Sequence, residues 1–139
     1  MNNYSLDKDI TLMYVTATSF PDGVMAAHQQ LHAKIPSNAE RKYYGISNPD
    51  QSGNIIYKAA AEEMYAGEAA EKGLETFILK SGEYACILVS NYMDNTAAIG
   101  EAFQKLLKHP QLDPLGFCLE WYLSKADVQC MVPLKNINQ

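Results

Sequence analysis

The segment Phe117-Cys118-Leu119-Glu120-Trp121-Tyr122-Leu123 holds the most chemically suggestive residue of the chain. Two-residue alternation along a strand puts Phe117, Leu119, Trp121 and Leu123 on one face and Cys118, Glu120 and Tyr122 on the other. The first face reads as core. The second carries a carboxylate between a thiol and a phenol. An ionised carboxylate removed from water is costly unless paired. No Lys or Arg lies on this strand or on the facing segment Gln129–Leu134. Glu120 is therefore solvated on a strand face, protonated, or the charge partner of a cation from outside the chain. Tyrosine is the second signal, with 9 Tyr against 4 Phe and 1 Trp. An apolar core favours Phe, because a buried Tyr must satisfy its hydroxyl. Tyr14, Tyr43, Tyr44, Tyr57, Tyr84, Tyr92 and Tyr122 all fall in strand-like segments or at their ends. Aromatic faces around a lone carboxylate suit an apolar or cationic ligand, each ring attracting a cation by roughly 0.5–2 kcal/mol. For any single tyrosine, a half-buried strand position is the plainer explanation.

Other chemistries find less support. His28 and His32 stand four apart on a helical segment, but His28-Gln29-Gln30-Leu31-His32 lacks the glutamate of a zinc hydrolase helix and no third ligand is near. No metal and no cofactor are expected. His28 shares an apolar stripe with Val24 and Leu31, which suits the edge of a cleft. No G-x-S-x-G elbow and no G-x-G-x-x-G loop occurs. Cys86, Cys118 and Cys130 are an odd number in apolar stretches, without C-x-x-C spacing. They read as reduced, buried thiols of a cytoplasmic protein, with a Cys118–Cys130 bridge as the rival reading.

The elements that must position these residues follow from periodicity and punctuation. Ile10 to Phe20 is β-branched and aromatic and reads as a strand. Pro21 suits the first position of a helix that runs to about Lys34 and stops before Pro36. Lys42 to Ser47 and Ile55 to Glu62 form a hairpin around the turn formers 48–54. Glu63 to Gly73 reads as a charged linker of small residues. Leu74 to Leu79 begins a strand that Lys80-Ser81-Gly82-Glu83 interrupts and Tyr84 to Asn91 continues. Asp94 or Asn95 can cap a helix with an apolar stripe of Ile99, Ala102, Phe103, Leu106 and Leu107, ended by Pro110. Gly116 to Ser124 and Gln129 to Leu134 make the last hairpin. The order is β-α-β-β, linker, β-α-β-β, an α+β fold of two pseudo-repeats over 10–63 and 74–135. Two such units most simply join into one antiparallel sheet with two helices and a central ligand cleft.

The 139 residues suffice for one domain, and 47% hydrophobic with 19% charged residues is a globular balance. A net charge of -5 argues against direct nucleic-acid contact and against a polybasic membrane surface. The polar first residues, Met1 to Asp9, contain no secretory signal, and no apolar window reaches the length of a membrane span.

Four local motifs in this order resemble the GyrI-like small-molecule-binding domain, the effector-binding domain of bacterial AraC-, BmrR- and Rob-type regulators. They are Lys42-Tyr43-Tyr44-Gly45-Ile46, Ile56-Tyr57-Lys58-Ala59-Ala60-Ala61-Glu62, Lys80-Ser81-Gly82-Glu83-Tyr84-Ala85 and Leu119-Glu120-Trp121-Tyr122-Leu123. The resemblance covers about residues 10–135. It implies duplicated units of the SHS2 type and a cleft in which a strand glutamate meets a lipophilic cation among aromatic rings. The implied ligand-binding set is Glu120 with Tyr122, Trp121, Tyr57, Tyr92, Tyr44 and His28. The chain lacks the DNA-binding segment of one-chain regulators, so a stand-alone domain is the expected form. Three functions stay open. The first is capture of a small cationic or amphipathic molecule, in transcription regulation or drug sensing. The second is hydrolysis of a reactive small molecule with Glu120 as general base, should burial raise its pKa. The third is an interaction module for a separate protein partner, on the analogy of gyrase inhibitors.

Overall fold

The computed structural model describes residues 1–135. Its strands are β1 (Asn2–Leu6), β2 (Ile10–Thr16), β3 (Tyr43–Pro49), β4 (Ile55–Glu62), β5 (Glu75–Leu79), β6 (Gly82–Val89), β7 (Cys118–Tyr122) and β8 (Val128–Pro133). Its helices are α1 (Val24–Lys34), α2 (Glu68–Lys72) and α3 (Ala97–Leu106), with a 3-10 turn at Tyr92–Asp94. The eight strands form one antiparallel sheet in the order β1-β6-β8-β7-β3-β4-β2-β5. That order reads the same from either end once β1-β2-α1-β3-β4 is matched to β5-β6-α3-β7-β8. The α+β class and the duplicated plan expected from the sequence therefore hold, with a pseudo-twofold axis between β3 and β7.

Each unit also gives its first strand to the other. β1 lies on β6, and β5 lies on β2. Only residues 7–9 connect β1 at one edge of the sheet to β2 beside the opposite edge. A link of that length spans at most about 14 Å, so the sheet curls until its edges approach. Lys80 and Ser81 make the equivalent crossing, and the Ser81 N–H donates to Asp9 Oδ1 at 2.8 Å where the crossings meet.

Curling gives both faces of the sheet a core, and successive residues of one strand serve different ones. Leu12 packs inside the curl with Tyr44, Ile46, Leu119 and Met131, while its neighbour Met13 packs under α1 with Leu31 and Ile35. Ala59, Ala60 and Ala61 of β4 are fully buried, alternating between those two cores. Their small side chains let α1 and the curl approach the sheet from both sides. A third core sits under α3, where Ala102 and Leu106 meet Val128, Cys130 and Val132.

Several expected boundaries move. β1 falls in the polar start where no element was expected; it is held by Tyr4 and Leu6, which pack into the curl. The segment 74–91 is two strands rather than one interrupted strand. Pro21 does not open the helix: α1 starts at Val24 behind a tight turn in which Gly23 N–H donates to Ser19 O. Neither Asp94 nor Asn95 caps α3, whose cap position is Thr96 without a side-chain bond. Leu107 and Leu123, expected on core faces, lie beyond the ends of α3 and β7 and are exposed.

The expected linker 63–73 instead contains α2, bounded by Gly67 and Gly73 in the left-handed region. Glu68 opens this helix and is 1% exposed. Arg41 holds it with two parallel bonds, Nη1 to Oε1 at 2.9 Å and Nη2 to Oε2 at 3.0 Å, and gives a further bond to Glu62 O. The Met64 N–H also donates to Oε1. The arginine holds the Glu68 carboxyl below its ordinary pKa. Removing one partner of a buried ion pair leaves the other uncompensated. Glu68→Ala should therefore cost about 3–5 kcal/mol of unfolding free energy by urea titration. The double change Arg41→Met with Glu68→Leu should restore most of it, because it leaves no lone buried charge.

Candidate functional site

The two long helices cover the sheet unequally. α1 packs on β2 and β4, and α3 on β6 and β8. The central strands β3 and β7 lie between them as the floor of a cleft. The middle rung of the β3–β7 ladder is the pair Gly45–Glu120. Strand order puts the pseudo-twofold axis between β3 and β7, and this rung is the middle one of their ladder. Glu120 faces the helices, and its carboxylate is half-buried there. Among the described residues it takes part in no ion pair; the two that occur are Arg41–Glu68 and Lys80–Asp9.

What surrounds the carboxylate is hydroxyl and ring. The Tyr122 hydroxyl donates to Glu120 Oε1 at 3.2 Å. The Tyr57 and Tyr122 hydroxyls share a bond of 2.8 Å, and Tyr57 Oη is 2.8 Å from His28 Nε2 on α1. The His28 ring stands edge-on to both tyrosines, with centroids 5.7 and 5.4 Å away. Tyr92 tilts against Tyr122 at 6.1 Å, and Phe20 stacks on Tyr57 at 5.9 Å. The rim residues Phe20 and Tyr92 come from corresponding β-to-α connections of the two units, β2 to α1 and β6 to α3.

Gly45 is the steric condition for this arrangement. A Cβ there would overlap the Tyr57 hydroxyl and lie 2.8 Å from Tyr57 Cζ and 2.9 Å from Glu120 Oε1. An isolated glycine inside a strand marks a close approach of this kind.

Burial sets the electrostatics. Glu120 is pushed up from 4.5 to about 7 by desolvation, against a downward pull from the Tyr122 and Tyr57 hydroxyls. Burial, with His32 nearby, lowers His28 to about 4, so its ring is neutral at pH 7. Burial and the carboxylate raise both tyrosines far above their ordinary value. The same causes raise Cys118 to about 11 and Cys130 to about 12. All three cysteines are free thiols. Glu120 is thus the sole ionisable member of the group at neutral pH. Among the described residues no three His, Cys, Asp or Glu side chains gather to hold a metal ion.

Of the residues singled out in the sequence, Glu120, Tyr122, Tyr57, Tyr92 and His28 come together. Trp121 and Tyr44 do not join them. Their rings stack at 6.1 Å on the opposite face, inside the curl, where they line a small cavity with Tyr4, Tyr84 and Leu119. Strand alternation already separated Trp121 from Glu120; aromatic character alone had grouped them. Phe20 and Gly45 belong to the site and were not read as members. An unpaired glycine in Tyr43-Tyr44-Gly45-Ile46 was a usable signal for Gly45. Phe20 was expected at the end of a strand over 10–20, but β2 ends at Thr16 and Phe20 lies in the bend before α1.

Two outcomes follow from this geometry. Glu120 binds its proton more tightly in the folded state than in the unfolded chain, so its contribution to stability is fully present below about 4.5 and is lost as pH rises through about 7. Relative to Glu120→Gln, the protein should lose about 1–3 kcal/mol between pH 5 and 8 in urea titrations. Gly45→Ala should cost about 1–3 kcal/mol from overpacking, and Tyr57→Phe in that background should recover part of it.

No family model and no curated protein sequence matches the chain. Solved structures do share its fold. An integron cassette protein from the mobile metagenome of Vibrio cholerae superposes with a TM-score of 0.68 at 11% identity, over 96% of this chain and 95% of that one. The structure of SAV2435 bound to tetraphenylphosphonium gives a TM-score of 0.69 at 12% identity, over 99% and 94%. A hydrolase from Listeria innocua gives 0.57 at 9% identity, over 96% and 90%. At these identities the likeness is one of fold, and the fold is one on which a lipophilic cation has been seen bound.

Proposed function

We propose that the chain is a GyrI-like effector-binding domain whose cleft takes a small lipophilic cation, with Glu120 as its charge partner. The observation that carries this reading is the half-buried carboxylate that pairs with no cation among the described residues, floored by Gly45 and surrounded by rings. A cation supplies the missing charge. Tyr57, Tyr92 and Tyr122 present aromatic walls, each worth roughly 0.5–2 kcal/mol toward a cation. Phe20, at 47% exposure, is the rim residue best able to yield to an incoming ligand. Transcription regulation and drug sensing are the roles in which such a capture domain would serve. The tetraphenylphosphonium held by SAV2435 supports the ligand class and supplies a probe.

A hydrolytic reading of the same cleft has one observation in its favour. A carboxyl group raised to about 7 beside a tyrosine hydroxyl is suited to general acid–base work near neutral pH. The Listeria neighbour is described as a hydrolase. Turnover of a bound electrophile that disappears in Glu120→Gln would favour this reading; saturable binding without product favours the receptor.

The binding reading is tested with tetraphenylphosphonium by calorimetry and thermal shift. The ligand should bind and raise Tm. Glu120→Gln should lose about 2 kcal/mol of affinity, roughly thirtyfold in Kd. Because the carboxylate must be ionised to serve, affinity should weaken as pH falls below about 7. Equal affinity in the variant would remove Glu120 as the charge partner.

A further inference from the structure

Glu120, Tyr122, Tyr57 and His28 form a hydrogen-bonded chain of three links, at 3.2, 2.8 and 2.8 Å. Each link needs one proton. The two phenols supply one each, so the third must come from one end: the carboxyl group or the imidazole Nε2. When Glu120 is ionised it can only accept. Tyr122 then donates to Glu120, Tyr57 donates to Tyr122, and His28 Nε2–H donates to Tyr57. When Oε1 carries a proton, that proton makes the first link and every donor reverses. Tyr57 then donates to His28 Nε2, and the ring proton must sit on Nδ1.

The geometry points to His28 as the proton port of the cleft: discharge of the Glu120 proton reverses the chain and moves the His28 ring proton from Nδ1 to Nε2. The balance is one proton. It leaves Glu120 Oε1 for Tyr122 Oη, the Tyr122 proton passes to Tyr57 Oη, and the Tyr57 proton passes to His28 Nε2. His28 Nδ1 then gives its own proton to water. Nδ1 makes no hydrogen bond among the described residues, and the one buried atom lacking a partner there is Arg41 Nε, so Nδ1 is open to solvent. The charge state of the sheet carboxylate is in this way written onto α1. His28 acts as a positioning residue, through the two tyrosines, and does not touch a ligand at Glu120.

The phenol and thiols that face the chain, raised by burial, are uncharged at neutral pH. Cys118 lies beside Glu120 on β7 and Cys130 opposite it on β8, both as thiols. Tyr92 faces it from the 3-10 turn; His32 stands one turn along α1 from His28.

This inference deepens the reading of Glu120 as charge partner, and its test separates the two. Nitrogen-15 spectra of histidine-labelled protein, without ligand, report the tautomer of His28 from pH 5 to 9, alongside carbon-13 detection of the Glu120 carboxyl. His28 should stay neutral throughout, and its two ring nitrogens should exchange character with the midpoint of Glu120. Tyr57→Phe and Tyr122→Phe each break two of the three links. In either, Glu120 should still titrate while the tautomer exchange is lost. Tetraphenylphosphonium added at pH 6 should drive His28 to the Nε2–H form in the intact protein. A tautomer that stays constant while Glu120 titrates overturns the proposal, as does a His28 that becomes imidazolium with its own midpoint above pH 5. Cation binding without any tautomer change would overturn the relay and keep the cation reading. Tautomer exchange with pH but no cation binding would do the reverse.

Discussion

The rung that joins Gly45 to Glu120 is the constraint on which the rest of the site depends. It lies at the middle of the β3–β7 ladder, between the strands on which α1 and α3 pack. A larger residue at 45 would push out the Tyr57 hydroxyl and crowd the carboxylate. Without that hydroxyl the chain to His28 has no middle. Without the carboxylate the ring of phenols has nothing to accept from it. The central ladder thus does two jobs. It fastens the units together through backbone bonds, and it holds one acid where burial keeps it near neutrality.

The support for that rung is indirect. The central strands are packed from both sides: Leu119 and Ile46 are buried inside the curl, and Tyr43, Cys118 and Tyr122 pack at the margins of the cores under α1 and α3. The floor of the cleft is therefore packed from below and flanked on both sides. The buried Arg41–Glu68 pair stands at the entry to β3 and ties that strand to α2. Fold stability and site geometry share the same strands, so changes near Gly45 will register in both.

Much of this was legible in the sequence for a physical reason. Alternation in 117–123 separates two chemistries onto two faces, and a carboxylate in an apolar strand has few inexpensive environments, so Glu120 stood out. The helices and hairpins around it followed from 3.6- and 2-residue periodicity and from the turn formers. What escaped depends on contacts far along the chain. Glu68 looks like any charged linker residue until Arg41, 27 positions away, is placed beside it. Tyr4 and Leu6 mark a strand only once a partner edge exists to receive them. Trp121 and Tyr44 are aromatic like the site residues but belong to the curl. Residue type did not reveal this, though the alternation around Trp121 did.

The near-twofold order of the sheet carries one more implication. Two identical units meeting across this axis would set either two carboxylates or two glycines against each other. Two acids at van der Waals distance would repel, and two glycines would leave nothing to bind. A single continuous chain escapes the dilemma, because its halves can diverge at the one place where symmetry demands sameness. The monovalent character of the cleft floor, one acid facing one vacancy, is thus a property that two identical units could not encode.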